Sequence, residues 1–104
     1  MDEIINRILE FRNAREWKKF HTPCNLSKSI VIEAAELLEN FQWDENYNEE
    51  NVTEELADVI IYCILLADSL NLDIKSIVHD KISKNEMKYP VEKSKGNSTK
   101  YTEF

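Results

Sequence analysis

The stretch that most constrains the fold is the nine-residue apolar run Val59–Ala67. On a helix, these residues would cover every side, and a helix that is apolar all round is buried all round. The run is much shorter than the roughly 20 apolar residues that span a membrane. We therefore expect a helix enclosed by protein. A chain of 104 residues offers few partner helices, so we expect a second subunit to cover one side of it.

The composition favours an all-α fold. The chain has one glycine and two prolines, and 42% of its residues are apolar, with many of them at helical spacing. We predict one domain over residues 1–104, in which four helices cover about 2–20, 25–42, 51–70 and 73–88, with a loop over 43–50 and a non-periodic tail over about 91–104. The predicted caps and stops are Asn25 or Ser27, a capping box from Asn51 to Glu54, Asn71, Asp73 and Pro90.

Charge and cysteine content exclude several classes of protein. The net charge is −7, so the surface would repel a nucleic-acid polymer. Six lysines stand between residues 81 and 100 against two glutamates; this basic segment is either a solvated tail or a cover for an anionic substrate. Cys63 lies within the apolar run and indicates a reduced core thiol. Met1-Asp2-Glu3 does not begin a secretory signal. We expect a cytoplasmic protein without a membrane segment.

Two pairs of acidic residues are the strongest functional feature. Glu33 with Glu36, and Glu55 with Asp58, are each three apart and so share a helix face at the edge of an apolar stripe. Partly desolvated carboxylates are unfavourable unless a cation compensates their charge. Oxygen-only ligands favour Mg²⁺, or Mn²⁺, over zinc and over a redox iron site, which would use histidine. The alternative is that these residues only solvate their helices.

A carboxylate-bound Mg²⁺ commonly bridges phosphates, and it can activate water for attack on a phosphoryl group. Trp17, Trp43 and Tyr62 stand outside the apolar stripes, and Tyr62 follows Asp58 by about one turn. Such rings could stack on a nucleobase, or they could pack in a core or interface. The residues alone therefore predict metal-dependent chemistry on a phosphorylated substrate.

Several separated motifs resemble the MazG-like all-α nucleoside triphosphate pyrophosphohydrolases, and in particular their dCTP pyrophosphatase branch. The resemblance extends over nearly the whole chain. It rests on Trp17–Leu26, Glu33–Leu37, Phe41–Trp43, Glu54–Tyr62, Asn85–Val91 and Lys100–Glu103. The acidic loop from Asp44 to Asn51 is a departure that bears on substrate choice and assembly.

The resemblance implies a four-helix bundle assembled as a dimer or a dimer of dimers. It implies hydrolysis of a nucleoside triphosphate, dCTP or a modified dCTP, to the monophosphate and pyrophosphate, as housecleaning of the nucleotide pool. The alternatives are a related pyrophosphatase acting on dUTP or another base, and a non-catalytic helical oligomer that binds nucleotide or a partner. By position, the catalytic and magnesium-binding residues are Glu33, Glu36, Glu55 and Asp58. The implied substrate-binding residues are Trp17, His21, Trp43, Tyr62, Lys81, Asn85, Lys88, Lys93 and Lys95.

Overall fold

The structure is a computed structural model that describes residues 1–43 and 46–96. Within these residues the fold is all-helical, as predicted, and its four long helices are α1 to α4. The elements are α1 (Asp2–Ala14), a 3-10 helix (Lys18–Phe20), α2 (Pro23–Glu39), α3 (Glu49–Ser69), α4 (Ile74–Lys88) and a single-turn α5 (Val91–Ser94). None of the helices in the described part of the chain is long and apolar enough to cross a membrane.

The first helix is shorter than predicted. It ends at Ala14, and Glu16 then adopts a left-handed conformation with φ of +53°. This turn brings the Trp17 amide back to the carbonyl of Arg12, to which it donates a hydrogen bond of 3.2 Å. The prediction of one helix over 2–20 was wrong because the break contains neither glycine nor proline, the residues that usually mark one.

The second helix begins earlier than predicted. The Thr22 hydroxyl oxygen accepts a hydrogen bond from the amide of Asn25 at 3.1 Å, and Pro23 occupies the first turn, where its missing N–H costs nothing. Neither Asn25 nor Ser27 is the cap. The helix also ends at Glu39, short of the predicted Gln42.

The third helix also starts earlier than expected. Asn48, rather than Asn51, is the N-cap, and its side-chain oxygen accepts from the amide of Asn51 at 3.1 Å. The predicted capping box is therefore wrong. The predicted stop is confirmed: α3 ends at Ser69, and Asn71 follows in a left-handed conformation with φ of +56°, which asparagine tolerates better than most residues.

The core of residues 1–72 lies where α2 and α1 pack against α3. The buried apolar side chains of the described residues are Leu26, Ile64, Leu65 and Ala67. Full burial of one leucine contributes about 1.5–3 kcal/mol. The other side of the apolar run remains open, since Ile60 keeps 49% of its surface exposed. Residues 1–43 and 46–96 therefore do not enclose α3 on every side.

The chain from Asp73 onward forms a second compact unit. Asp73 caps α4 as predicted, because its carboxylate accepts from the amides of Lys75 and Ser76 at 3.0 and 3.3 Å. Ile74, Ile77, Val78 and Ile82 fall at helical spacing along α4 and would form an apolar stripe, but the stripe is not buried: Val78 keeps 50% of its surface exposed, and Ile77 and Ile82 are similarly exposed. Pro90 separates α4 from α5. Most of the predicted tail, from residue 97, lies outside the described residues.

Candidate active site

Packing of α2 against α3 brings the predicted acidic residues together. Carboxylate oxygens of Glu33, Glu55 and Asp58 all lie within 4.8 Å of one another. Glu36 lies beside Glu33 and Glu55, since its carboxyl group perturbs both. We call these four residues the carboxylate cluster. Their meeting follows from i, i+3 spacing on two adjacent helices.

The cluster is electrostatically unfavourable without a counter-charge. Burial, and then the neighbouring charge of Glu36, raises the pKa of Glu33, with smaller effects from Asp58 and Glu55. Burial and Glu36 likewise raise the pKa of Glu55. In addition, Oε2 of Glu33 is buried and has no hydrogen-bond partner among the described residues. Mutual repulsion and an unpartnered buried oxygen are both relieved by a bound cation.

The donor set fits a hard divalent cation. The carboxylates offer oxygen alone, and three of the four are half-buried, the exception being the exposed Asp58. Mg²⁺ and Mn²⁺ prefer oxygen ligands. The structure adds one acidic neighbour that the sequence reasoning missed: Glu39 also raises the pKa of Glu55. The i, i+3 spacing that linked Glu33 to Glu36 continues to Glu39 and could have indicated it.

A cavity of about 640 Å³ opens beside the cluster, between α1, α3 and the two residues that flank the 3-10 helix, Trp17 and His21. This volume is within the range of small-molecule sites. We call it the base cavity, after the nucleobase whose binding the family resemblance implies, and its walls are mainly apolar and aromatic. Its lining residues are Ile4, Arg7, Ile8, Phe11, Arg12, Trp17, His21, Ala57, Asp58, Ile60, Ile61, Tyr62 and Leu65.

Three of the residues predicted to contact substrate line this cavity, namely Trp17, His21 and Tyr62. Tyr62 also lies close to the cluster: burial, and then the charges of Glu33 and Asp58, raise the pKa of its hydroxyl. The sequence reasoning missed Phe11, whose ring meets that of Trp17 edge to face at 5.7 Å. Phe11 falls within the apolar spacing of α1, so its pattern indicated core packing.

Of the other predicted substrate residues, Trp43 belongs to the first unit and is not among those that line the base cavity. Trp43 follows α2 and keeps 88% of its surface exposed. The remaining five are exposed residues of the second unit, on α4, on α5 and just after it. They are Lys81, Asn85, Lys88, Lys93 and Lys95. Their roles stay predictions.

The all-α fold, with a carboxylate cluster next to a cavity of small-molecule size, fits a class of helical enzymes that act on phosphorylated substrates. Sequence comparison identifies the family. The chain belongs to the MazG-like family, whose profile matches residues 28–104. It is similar over its full length to dCTP pyrophosphatase 1 of Mus musculus, with 34% identity across 67% of that protein. The bovine protein of the same name (Bos taurus) is 35% identical, over 68% of its length.

A solved structure supports the same family assignment. A pyrophosphatase from Archaeoglobus fulgidus superimposes with a TM-score of 0.76 and 45% identity, over 86% of this chain and 92% of that one. The family resemblance drawn from the sequence motifs is thus confirmed. The enzyme class that it implied, nucleoside triphosphate pyrophosphohydrolase, agrees with these relatives.

Proposed function

We propose that this protein hydrolyses a deoxynucleoside triphosphate, dCTP or a modified dCTP, to the monophosphate and pyrophosphate, with Mg²⁺ as cofactor. One observation carries the proposal: Asp58 belongs both to the carboxylate cluster and to the wall of the base cavity. A nucleotide whose base occupies the cavity therefore places its phosphates towards the cluster. The names of the relatives support the choice of nucleotide.

The residues of the chain divide the work between base and phosphates. Trp17 and Tyr62 provide aromatic surfaces that hold the base, and stacking on such a ring contributes about 1–3 kcal/mol. Glu33, Glu36, Glu55 and Asp58 would hold the divalent cation, which when bound polarises phosphoryl oxygens and acidifies water. A carboxylate of the cluster that the cation leaves free would accept the proton of the attacking water.

We further propose that the protein works as a homodimer or homotetramer in the cytoplasm, where it removes surplus or modified nucleotides. Exposed apolar side chains on the helices of the first unit support an assembly. Val31 and Leu38 on α2 each keep 68% of their surface exposed, and Leu56 on α3 keeps 48%. Large exposed apolar surfaces often mark interaction sites, and these side chains are the candidates for one.

A screen of common and base-modified triphosphates, with Mg²⁺ and with EDTA, tests the proposal. We expect pyrophosphate and the monophosphate as products, with dCTP or a modified dCTP turned over fastest, and only when Mg²⁺ is present. Glu55→Gln should abolish turnover, whereas Glu54→Gln removes the same charge from an exposed neighbour and should leave it unchanged. Release of inorganic phosphate, or binding without turnover, would contradict the proposal. Faster turnover of dUTP would identify a related pyrophosphatase of different base choice.

A further inference from the structure

Arg12 is the one buried charged residue among those described, with 4% of its surface exposed. Its Nη1 donates to Oδ2 of Asp68 at 2.6 Å, and its Nε donates to the side-chain oxygen of Asn13 at 3.0 Å. The ion pair joins α1 to α3, and Arg12 is the member of the pair that lines the base cavity. Asp68 keeps 33% of its side-chain surface exposed, so the pair is partly buried, and such an ion pair often contributes no more stability than a well-packed apolar pair of similar size. Stability alone therefore does not explain a charge at this position.

The backbone of Arg12 positions Trp17. The Arg12 carbonyl accepts hydrogen bonds from the amides of Arg15 and Trp17, both at 3.2 Å. Between them, Glu16 holds a left-handed conformation, which is unfavourable for a residue other than glycine unless the surrounding structure enforces it. The ion pair between Arg12 and Asp68 fixes the C-terminal end of α1 against α3. The turn at Glu16 is hydrogen-bonded to this end of the helix. Trp17 reaches the cavity wall as a result.

Arg12 also acts on His21. Burial, and then the positive charge of Arg12, lowers the pKa of His21, which favours the neutral imidazole. A neutral imidazole keeps one acceptor nitrogen, whereas an imidazolium has donors alone. His21 lines the cavity, and its Nδ1 is buried without a hydrogen-bond partner in the described part of the chain. A buried polar atom without a partner is unfavourable, and a ligand that supplies the missing hydrogen bond relieves that cost.

We propose that the Arg12–Asp68 ion pair positions the wall of the base cavity, holding Trp17 and His21 so that His21 accepts a hydrogen bond from an amino-bearing base. The exocyclic amino group of cytosine is such a donor, and the carbonyl that uracil carries in its place is not. This inference rests on the proposed function, since it assigns the base to this cavity. It makes His21 a specificity-determining residue and Arg12 a positioning residue.

Binding of dCMP and dUMP tests His21 apart from catalysis. Calorimetry in EDTA should show that the wild-type protein prefers dCMP, by about tenfold to a hundredfold for one well-placed hydrogen bond. His21→Phe keeps an aromatic ring but has no acceptor, and it should bind both nucleotides alike. Equal binding by the wild type, no binding of either nucleotide, or an unchanged preference in His21→Phe would overturn the inference. Preference for dCMP without turnover of any triphosphate would instead refute the proposed function and leave the inference standing.

A charge-free replacement separates positioning from stability. Arg12→Met with Asp68→Leu fills the same space with apolar groups, so folding should be retained. Assembly and Mg²⁺ dependence should be unchanged, while the preference for dCMP falls about tenfold and KM for dCTP rises more than kcat falls. The single variant Arg12→Lys keeps the positive charge that the double variant lacks. It should therefore retain part of the preference for dCMP. A folded double variant with wild-type preference would show that the pair is only structural. If the double variant does not fold, Asp68→Asn replaces it, with the same two outcomes.

Discussion

Neutralising Glu33 should stabilise the metal-free protein. Its carboxylate lies within 4.8 Å of those of Glu55 and Asp58. Two unit charges at that separation repel by about 0.9 kcal/mol in the dielectric of water, so the charge on Glu33 faces about 2 kcal/mol of repulsion. Screening at about 0.15 M salt, where the Debye length is about 8 Å, reduces this to about 1 kcal/mol. Glu33→Gln removes this repulsion, and for a chain of this size we expect its melting temperature in EDTA to rise by about 4–8 °C.

The gain should depend on pH in a defined direction. Because the pKa of Glu33 is raised in the folded state, an unfolded chain ionises first as pH rises. The penalty is absent below about pH 4, where Glu33 is protonated in both states, and it is complete once pH exceeds the raised pKa. The wild-type and Glu33→Gln proteins should therefore melt at similar temperatures at about pH 4 and differ most above neutrality.

Added Mg²⁺ should reverse the order of stability. A ligand at a hundred times its Kd stabilises the folded state by about 2.7 kcal/mol, and the wild-type protein should gain more than Glu33→Gln. Calorimetric melting at one protein concentration, in EDTA and in MgCl₂, measures both effects. Glu54→Gln, which neutralises an exposed residue on α3, is the control. If both variants shift equally in EDTA, the repulsion argument is wrong; equal gains from Mg²⁺ in the wild-type and Glu33→Gln proteins would refute a metal at the cluster.

Three further predictions concern the site, the core and the assembly. Asp58→Asn should lower kcat by about a hundredfold or more, because it weakens charge stabilisation in the transition state. Trp17→Ala should instead weaken binding by about 1–3 kcal/mol, seen in KM; steady-state kinetics that show equal losses of kcat would contradict this division. Leu26 is 1% exposed, so Leu26→Ala should lower the free energy of unfolding, measured in urea, by about 2–5 kcal/mol. The control Lys28→Ala, at an exposed position, should change it by less than about 0.5 kcal/mol. Light scattering should find an oligomer of the 12.3 kDa chain that Leu38→Ser weakens, and a folded wild-type monomer at micromolar concentration would overturn the assembly.

The carboxylate cluster could be predicted because helix geometry fixes which residues share a face. Once two neighbouring helices each carry acids three apart, packing them through their apolar stripes brings the acids together. The same geometry predicted that Tyr62 would lie close to Asp58. These relations depend on spacing alone, so small errors in the helix ends leave them unchanged.

Other features depend on choices that local sequence does not decide. Asn48 and Asn51 are equally good caps in isolation, and the fold uses Asn48. The turn at Glu16 contains no glycine, so its left-handed residue gave no sequence signal. The base cavity depends on that turn, since the turn carries Trp17 out of the line of α1. The burial of Arg12 is likewise set by Asp68, which lies 56 residues further along the chain.

The base cavity and the carboxylate cluster share α3 but draw their remaining walls from different helices. The cluster takes its other residues from α2, and the cavity takes its other walls from α1 and from Trp17 and His21, which flank the 3-10 helix. Under the proposed function, substitutions on α1 change which nucleotide is accepted without altering a proposed metal ligand. A library restricted to the cavity-facing positions Ile4, Ile8 and Phe11 should yield enzymes of new base preference that keep their dependence on Mg²⁺. Base preference and metal-dependent hydrolysis can then change independently of each other, while α3 contributes residues to both sites.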